Sequence, residues 1–181
     1  SVLVFDMHNE YGLDDIASDT NQPVTGLKTK FGSKVQVIAL GAGSLIRGRA
    51  PDAHLTIAYS DITTADIEML TRELNLKETT STTLDALWHS FGRDWFLRFK
   101  EMVSGAMVED EDGKKVPAPG SVAAWALDAG VNTMAAEGLH SKLQRVFNLP
   151  YLVEKSPAGS SLDIVIDFLQ KNAHVVLSFG K

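Results

Sequence analysis

The chain has 181 residues, of which 44% are hydrophobic and 22% are charged, as is ordinary for a globular protein with one sizeable core. Its formal net charge of −6 argues against a general affinity of the whole surface for nucleic acid. The absence of cysteine excludes disulfides and cysteine-ligated zinc, and no apolar stretch approaches the ~20 residues of a membrane span. We therefore expect a cytoplasmic protein that does not enter a membrane.

Three segments in the first third of the chain have the hydrophobic pattern of β-strands. Residues 2–5 form an uninterrupted apolar run that is too short for a helix and is typical of a strand buried on both faces. Residues 34–40 and 54–59 alternate between apolar and polar side chains, which predicts a second and a third strand. Residues 12–22 are polar and residues 41–51 are rich in glycine, so both segments are predicted to be loops.

The middle of the chain has helical periodicity instead. Thr63 or Thr64 can cap a helix that runs to about residue 74. Apolar residues at three- and four-residue spacing predict one long amphipathic helix over residues 84–103, with Gly92 inside it at some cost. Ser121 can begin a short alanine-rich helix, and a further helix is predicted to run to about residue 147.

The end of the chain returns to a strand. Ser160 or Ser161 is predicted to cap a last helix, and residues 175–179 form a final apolar strand. Residues 162–167 could also form a strand of Walker type, because four apolar residues there end in an aspartate. Their apolar positions keep helical spacing, however, so we interpret the segment as a helix.

This order of elements predicts an α/β fold with a sheet of about four to five strands and an inserted bundle of four to five helices. We expect a single domain over residues 1–181, in which residues 1–60 and 160–181 form the sheet part and residues 61–150 the helical insertion. Both ends of the chain are strands without flanking elements, like the cut edges of one sheet. We therefore expect the chain to be the central fragment of a larger protein.

Polar residues that could carry chemistry follow the first strand directly. Asp6, His8 and Glu10 are spaced two residues apart and would face the same way if the strand continued. Ligands of α/β proteins bind where parallel strands end, and two carboxylates with one imidazole could bind a divalent metal ion. The alternative is a turn whose polar groups only form hydrogen bonds.

Other segments of the sequence are weaker candidates for a binding site. Gly41 and Gly43 follow the second strand as in a dinucleotide-binding loop, but Ile46 replaces the third glycine and no helix is predicted to follow. The aromatic residues of the long helix could stack on bases, although their spacing is more typical of a buried helix face. A stretch without acidic residues is a better candidate for contact with nucleic acid, and its basic residues are Lys28, Lys30, Lys34, Arg47 and Arg49.

The segment Asp6-Met-His-Asn-Glu-Tyr11-Gly resembles the D-x-H-G-E-Y motif of HerA-type ATPases, which belong to the HerA/FtsK branch of the RecA-like P-loop NTPases. Asn9 replaces the usual glycine. Residues 167–181 resemble the helix and the strand ending in serine that this family carries, and the family also has a helical insertion between the two points. The sequence has no G-x-x-x-x-G-K-[S/T], so the P-loop would precede residue 1 and the Walker B residues would follow residue 181.

The resemblance implies a partial RecA-like sheet in the central fragment of an ATP-dependent DNA translocase or helicase, which assembles as a ring that is expected to be a hexamer. It implies ATP and Mg²⁺ as cofactors of the parent protein, neither of which is expected to bind tightly to this fragment. Glu10 would face the attacking water, Asp6 would lie in the outer shell of the metal ion, His8 would contact a phosphate or a neighbouring subunit, and Tyr11 would contact the nucleotide. The fragment would not be catalytically competent alone.

Two other hypotheses stay open at this stage. The chain could be a helical interaction module without chemistry, which contacts DNA or a neighbouring subunit. It could also be a stand-alone metallohydrolase, which would require that the isolated chain bind a metal ion.

Overall fold

The computed structural model describes residues 1–159 and 161–179. The strands, in chain order, are β1 Leu3–Asp6, β2 Asp15–Ile16, β3 Pro23–Val24, β4 Val35–Leu40, β5 Ala53–Leu55, β6 Ile57–Ala58, β7 Met107–Glu109, β8 Lys115–Pro117, β9 Leu152–Val153 and β10 His174–Ser178. The α-helices are α1 Leu27–Phe31, α2 Thr64–Met69, α3 Thr79–Phe91, α4 Trp95–Glu101, α5 Val122–Asp128, α6 Thr133–Phe147 and α7 Asp163–Gln170. Short 3₁₀ helices cover Gly32–Lys34, Tyr59–Asp61 and Gly92–Asp94.

The chain forms two compact units. The sheet unit consists of Ser1–Ala58 together with the chain from Pro150 onward, and the helical unit is Tyr59–Leu149. The helical unit contains five of the α-helices, α2 to α6. Among the described residues, no helix is both long and apolar enough to cross a membrane.

The sheet unit is built on four parallel strands in the order β1-β10-β4-β5. In register, Asp6 of β1 lies beside Ser178 of β10, and Ser178 lies beside Ala39 of β4. Non-consecutive neighbours joined by crossovers are characteristic of α/β folds. The predicted α/β fold class, with a partial RecA-like sheet and an inserted bundle of four to five helices, is therefore confirmed.

Alternating side chains along the strands form an apolar cluster on each face of the sheet. On one face Val35, Val37 and Val176 are buried with Ile46, from the segment that follows β4. The other face packs against α7, with Ile38, Leu55, Val175, Leu177 and Val165 buried together. This two-sided burial follows from the period of two along a strand and explains why most buried positions of β4 and β10 on both faces are apolar.

The first strand differs from its prediction, because β1 is not buried on both faces. Phe5 is 60% exposed and Val2, directly before the strand, is 54% exposed. Among the described residues, β1 pairs only with β10, so it lies at the margin of the four-stranded sheet. The third predicted strand is also divided: β5 pairs with β4, whereas β6 pairs with β9 in a separate two-stranded sheet.

The long helix predicted over residues 84–103 is interrupted at Gly92. This glycine has a φ of +55°, which a right-handed helix does not accommodate and which glycine adopts at low cost. The chain therefore forms α3, one 3₁₀ turn and α4 instead of one helix. The interruption changes the direction of the apolar face, so Trp95 is fully buried whereas Trp88 is 42% exposed.

Several predicted helix starts agree with the structure. Thr63 and Asp66 form a reciprocal capping box at α2, and Ser121 accepts a hydrogen bond from the Ala124 amide at α5. The last helix begins later than predicted, at Asp163, and no described side chain caps it, because Ser161 Oγ donates to the Asp163 carboxylate instead. Ser160 lies outside the described residues.

The core of the helical unit encloses one histidine. His140 of α6 is 4% exposed, and its ring contacts Phe99 and Phe147 at centroid distances of 5.1 and 5.5 Å. Its Nε2 atom has no hydrogen-bond partner among the described residues. Burial lowers the pKa of His140 below its usual 6.5, and this effect exceeds the opposing effect of the Glu137 carboxylate.

We expect the helical unit to lose stability as the pH falls. A folded-state pKa below the unfolded value means that the stabilisation is complete above about pH 6.5 and is lost below it. All three tryptophans lie in this unit, so tryptophan fluorescence during denaturant unfolding reports its free energy of unfolding. Between about pH 7.5 and about pH 5, His140→Leu should lose less stability than the wild type.

His89→Leu is the matched control, because His89 is exposed on α3. It should keep the pH dependence of the wild type. If His140→Leu also kept that dependence unchanged, the buried imidazole would not be its source.

Candidate functional site

The candidate site lies where the parallel strands end. β1, β10, β4 and β5 run in the same direction, so the segments that follow Asp6, Ser178, Leu40 and Leu55 meet at one edge of the sheet. In α/β proteins this carboxyl edge is where ligands bind. The segment from Asp6 to Gly12, which we call the motif loop, begins there.

The buried side chain of Asp6 holds the motif loop through hydrogen bonds to its backbone. Its side chain is fully buried at 0% exposure. Oδ1 accepts a hydrogen bond from the Glu10 amide at 2.9 Å, and Oδ2 accepts from the amides of Tyr11 and Gly12 at 3.0 and 3.3 Å. A buried carboxylate is costly unless it is hydrogen-bonded, and these three backbone donors meet that requirement. Asp6 therefore determines the path of the loop.

Asn9 occupies the position where the D-x-H-G-E-Y motif has glycine. Its φ is +59°, in the left-handed region that favours glycine and that asparagine tolerates better than most residues. The side chain is 4% exposed, and Oδ1 accepts a hydrogen bond of 2.5 Å from Ser178 Oγ at the end of β10. Asn9 thus has a left-handed backbone conformation of the kind that glycine adopts easily, and its side chain adds a contact between the motif loop and β10.

The other predicted site residues lie on the outside of the loop. His8, Glu10 and Tyr11 are exposed, with Tyr11 at 54%. The strand ends at Asp6 and the chain then turns, so the two-residue spacing does not bring Asp6, His8 and Glu10 to one face. Among the described residues, no three histidine, aspartate or glutamate side chains are grouped so that they could hold a metal ion.

The end of the motif loop is held by the start of α1. The carbonyl oxygens of Tyr11 and Gly12 accept hydrogen bonds from the amides of Leu27 and Lys28 at 2.9 and 3.1 Å. A Cβ atom on Gly12 would lie 3.1 Å from a methyl group of Val37, so the loop packs closely on the sheet. Both ends of the loop are therefore fixed by the sheet unit.

The segment that follows the motif loop is also fixed by a hydrogen bond to the residues before α1. Asp14 Oδ1 accepts a hydrogen bond of 2.7 Å from the Gly26 amide. This bond, with smaller contributions from the Thr29 side chain and the charge of Arg49, lowers the pKa of Asp14 below its usual value. A Cβ atom on Gly26 would lie 2.4 Å from the Leu13 backbone, so only glycine fits there.

Arg47 connects the loop after β4 to the motif loop. It lies in a two-residue turn in which the backbones of Ile46 and Arg49 exchange hydrogen bonds, and its φ is +51°. Its guanidinium forms an ion pair with Asp15 and donates to the His8 carbonyl oxygen at 3.4 Å. Arg47, Asp15 and Glu10 line one open cleft of about 440 Å³. The sequence indicated Arg47 only as a basic residue in a loop, because its partners are distant along the chain.

The residues of the predicted basic stretch are divided between the amino ends and the carboxyl ends of the parallel strands. Lys30 and Lys34 are exposed near the amino end of β4, whereas Arg47 lies at the carboxyl edge beside the motif loop. Arg49 is exposed in the same turn as Arg47. Lys28 is engaged within the chain, because its Nζ donates to the Val35 carbonyl oxygen at 2.7 Å and pairs with Asp52 at 2.8 Å.

The glycine pair after β4 forms a turn and does not open a helix. Gly41 has a φ of +89°, and a Cβ atom on it would lie 2.9 Å from Ser44 Oγ. That hydroxyl donates to the carbonyl oxygens of Leu40 and Gly41 and so fills the space inside the turn. The prediction against a dinucleotide-binding loop is consistent with this geometry. Residues 163–170 form α7, so the Walker-type strand considered for this segment is absent from the structure.

Asp6 and Glu10 should differ sharply in their effect on stability. In Asp6→Asn an amide nitrogen would face backbone N–H groups, so we expect a loss of about 1.5–3 kcal/mol in the free energy of unfolding. Glu10→Gln should stay within about 0.5 kcal/mol of the wild type, because Glu10 is exposed. Denaturant unfolding followed by far-UV circular dichroism measures both, and equal effects of the two substitutions would contradict the assigned role of Asp6.

Comparison with known proteins agrees with this architecture. The family model described as "Helicase HerA, central domain" matches residues 1–180. No curated protein and no solved structure matches the chain significantly. The match spans both the sheet unit and the helical unit, including the motif loop after β1 and the serine at the end of β10. The chain therefore belongs to the family of HerA helicase central domains.

Proposed function

We propose that this chain is part of an ATP-dependent DNA translocase or helicase of the HerA type, in which the motif loop lies next to the nucleotide. The observation that carries the proposal is the construction of that loop. It leaves the carboxyl edge of a parallel sheet, is held from inside by Asp6, and presents His8, Glu10 and Tyr11 to solvent. A loop fixed at both ends can hold polar side chains in position for a ligand with little loss of entropy on binding.

The exposed residues of the loop fit one side of a nucleotide site. Glu10 is proposed to orient the attacking water, His8 to contact a phosphate or a neighbouring subunit, and Tyr11 to contact the nucleotide. In the parent protein, ATP and Mg²⁺ would supply the phosphoryl group and the neutralisation of its charge. The chain has no phosphate-cradling G-x-x-x-x-G-K-[S/T], so we propose that the P-loop comes from another part of the parent or from a neighbouring copy.

The proposed role of Asp6 is mainly to position the loop. Three backbone N–H groups already occupy its two oxygen atoms. A carboxylate has about four lone-pair positions, so at most one remains for a water of the metal's outer shell. Asp6→Asn should therefore reduce turnover together with stability, whereas a residue that only contacts the metal shell would affect turnover alone.

Glu10→Gln in the full-length parent tests the proposal. Loss of a positioned acid–base group reduces the rate typically by ~10²–10⁴-fold, so we expect kcat for ATP hydrolysis to fall by at least about 100-fold while ATP still binds. Glu154→Gln is the matched control, because Glu154 is an exposed glutamate of the same unit. Unchanged turnover in Glu10→Gln would refute the role of Glu10.

A second candidate function is direct contact with DNA, and the position of two lysines favours it. Lys30 and Lys34 are exposed within one short segment, on the last turn of α1 and at the end of the following 3₁₀ helix. Lysines so placed can neutralise adjacent phosphates without a sequence preference. This contact is compatible with the nucleotide role of the motif loop, which lies at the other edge of the sheet.

Lys30→Gln with Lys34→Gln in the parent tests this contact. Each lost phosphate contact should reduce the slope of log K against log salt concentration by about 1, so the double variant should lose about 2. Lys155→Gln with Lys171→Gln removes the same charge from exposed positions of the same unit and should leave the slope unchanged. Equal slopes for all three proteins would exclude Lys30 and Lys34 as phosphate contacts.

A further inference from the structure

The helical unit carries an exposed hairpin with an acidic tip. Within residues 1–159 and 161–179, β7 and β8 pair only with each other, and the turn between them completes what we call the acidic hairpin. Asp110 organises the turn, because its Oδ1 accepts hydrogen bonds from the amides of Asp112 and Lys114 at 3.0 and 2.8 Å. Glu109, Glu111 and Asp112 are exposed around it.

The acidic hairpin also exposes apolar side chains. Met107 and Val108 of β7 are 51% and 41% exposed. An isolated two-stranded hairpin is marginal in water, and of this one only Val116 and Pro117 among the strand residues are half-buried, so it depends on its attachment at the base. There, Gly105 donates its amide to Glu137 of α6 at 3.1 Å, and Ser104 donates its hydroxyl to the same carboxylate. The base is held by α6, whereas the acidic tip is exposed and so are Met107 and Val108, whose side chains point to opposite faces of β7.

The same unit carries a groove of the opposite charge. Two adjoining depressions of about 370 and 300 Å³ run along α6 and share Lys142. We call them the basic groove. Lys77, Lys142 and Arg145 line it, and Glu73 is its one acidic residue among the described residues. The local charge is thus positive, although the helical unit has more acidic than basic side chains.

The floor of the basic groove is apolar at one end. Met134 of α6 is 82% exposed, and Ala135 and Gly138 follow on the same side of the helix. A Cβ atom on Gly138 would meet nothing within 4 Å, so there is open space beside this turn. Glycine inside a helix costs about 1 kcal/mol relative to alanine, in keeping with a surface that accommodates another group.

We propose that the acidic hairpin of one copy of this chain binds in the basic groove of a second copy. Apolar and charged residues follow each other in the same order on the two surfaces. Along the hairpin the apolar Met107 and Val108 precede the acidic tip, and along α6 the apolar Met134 precedes the basic Lys142 and Arg145. With one face of the hairpin on the groove, either Met107 or Val108 supplies hydrophobic contact while the acidic tip supplies charge complementarity. The contact involves the helical unit only and does not depend on the nucleotide chemistry proposed for the motif loop.

Paired charge reversals test this contact. Lys77→Glu with Arg145→Glu alters the groove, and Glu111→Lys with Asp112→Lys alters the hairpin; all four side chains are exposed. Self-association of the full chain is measured by sedimentation equilibrium. We expect each pair of substitutions to raise Kd for self-association at least about tenfold, because like charges then face each other. The combination of both pairs should restore association, since the charges are again opposite.

Arg93→Glu with Arg98→Glu is the matched control, because it reverses two exposed basic residues of the same unit away from the groove. It should leave Kd unchanged. Between about 0.1 and about 1 M salt the Debye length shortens from ~10 to ~3 Å, so wild-type association should weaken. Tryptophan fluorescence unfolding confirms that each variant is folded.

Cross-linking identifies the contact itself, because the natural chain has no cysteine. Asp112→Cys in one copy and Ser141→Cys, beside the basic groove, in a differently tagged copy should form a mixed disulfide. Asp85→Cys, on the exposed side of α3, should not replace Ser141→Cys. A monomeric wild type at low salt, or no rescue in the combined charge reversal, would overturn the proposal whatever the ATPase activity of the parent.

Discussion

The buried carboxylate of Asp6 is the constraint on which the candidate site depends. A carboxylate cannot be buried without partners, and at the end of β1 the nearest donors are the backbone amides of the following residues. To reach Asp6 the chain must turn immediately, which places Asn9 in the left-handed region and carries its side chain to Ser178. One buried charge thus converts a polar segment into a defined loop in which His8, Glu10 and Tyr11 are exposed to solvent.

The motif loop is also coupled to the rest of the sheet unit. The amides at the start of α1 hold its far end, and Arg47 reaches its middle from the turn after β4. Arg47 adopts a positive φ, which is uncommon for a residue with a side chain, and its guanidinium pairs with Asp15. A ligand that displaced this guanidinium would therefore affect both loops, which links events at the motif loop to the segment between β4 and β5.

The helical unit is stabilised by different means. Its core is aromatic, with Phe96 at 5.4 and 5.1 Å from Trp95 and Phe147 in edge-to-face arrangements. Gly92 allows two shorter helices to present aromatic side chains in different directions, which one straight helix could not do. The acidic hairpin lies outside this core and is attached to α6 through Glu137.

Local patterns in the sequence determined most of the elements and the family. Apolar periodicity placed β4, β10 and most of the helices, although it missed α1 and the interruption between α3 and α4. Thr63 and Ser121 marked helix starts because caps depend on neighbouring residues. The sequence could not separate Asp6 from Glu10, since both are carboxylates after a strand. Only the tertiary structure buried one and exposed the other. It also paired β1 with β10 across the whole chain, left Phe5 exposed and brought Arg47 to His8. These features depend on partners far away in sequence, which no local pattern specifies.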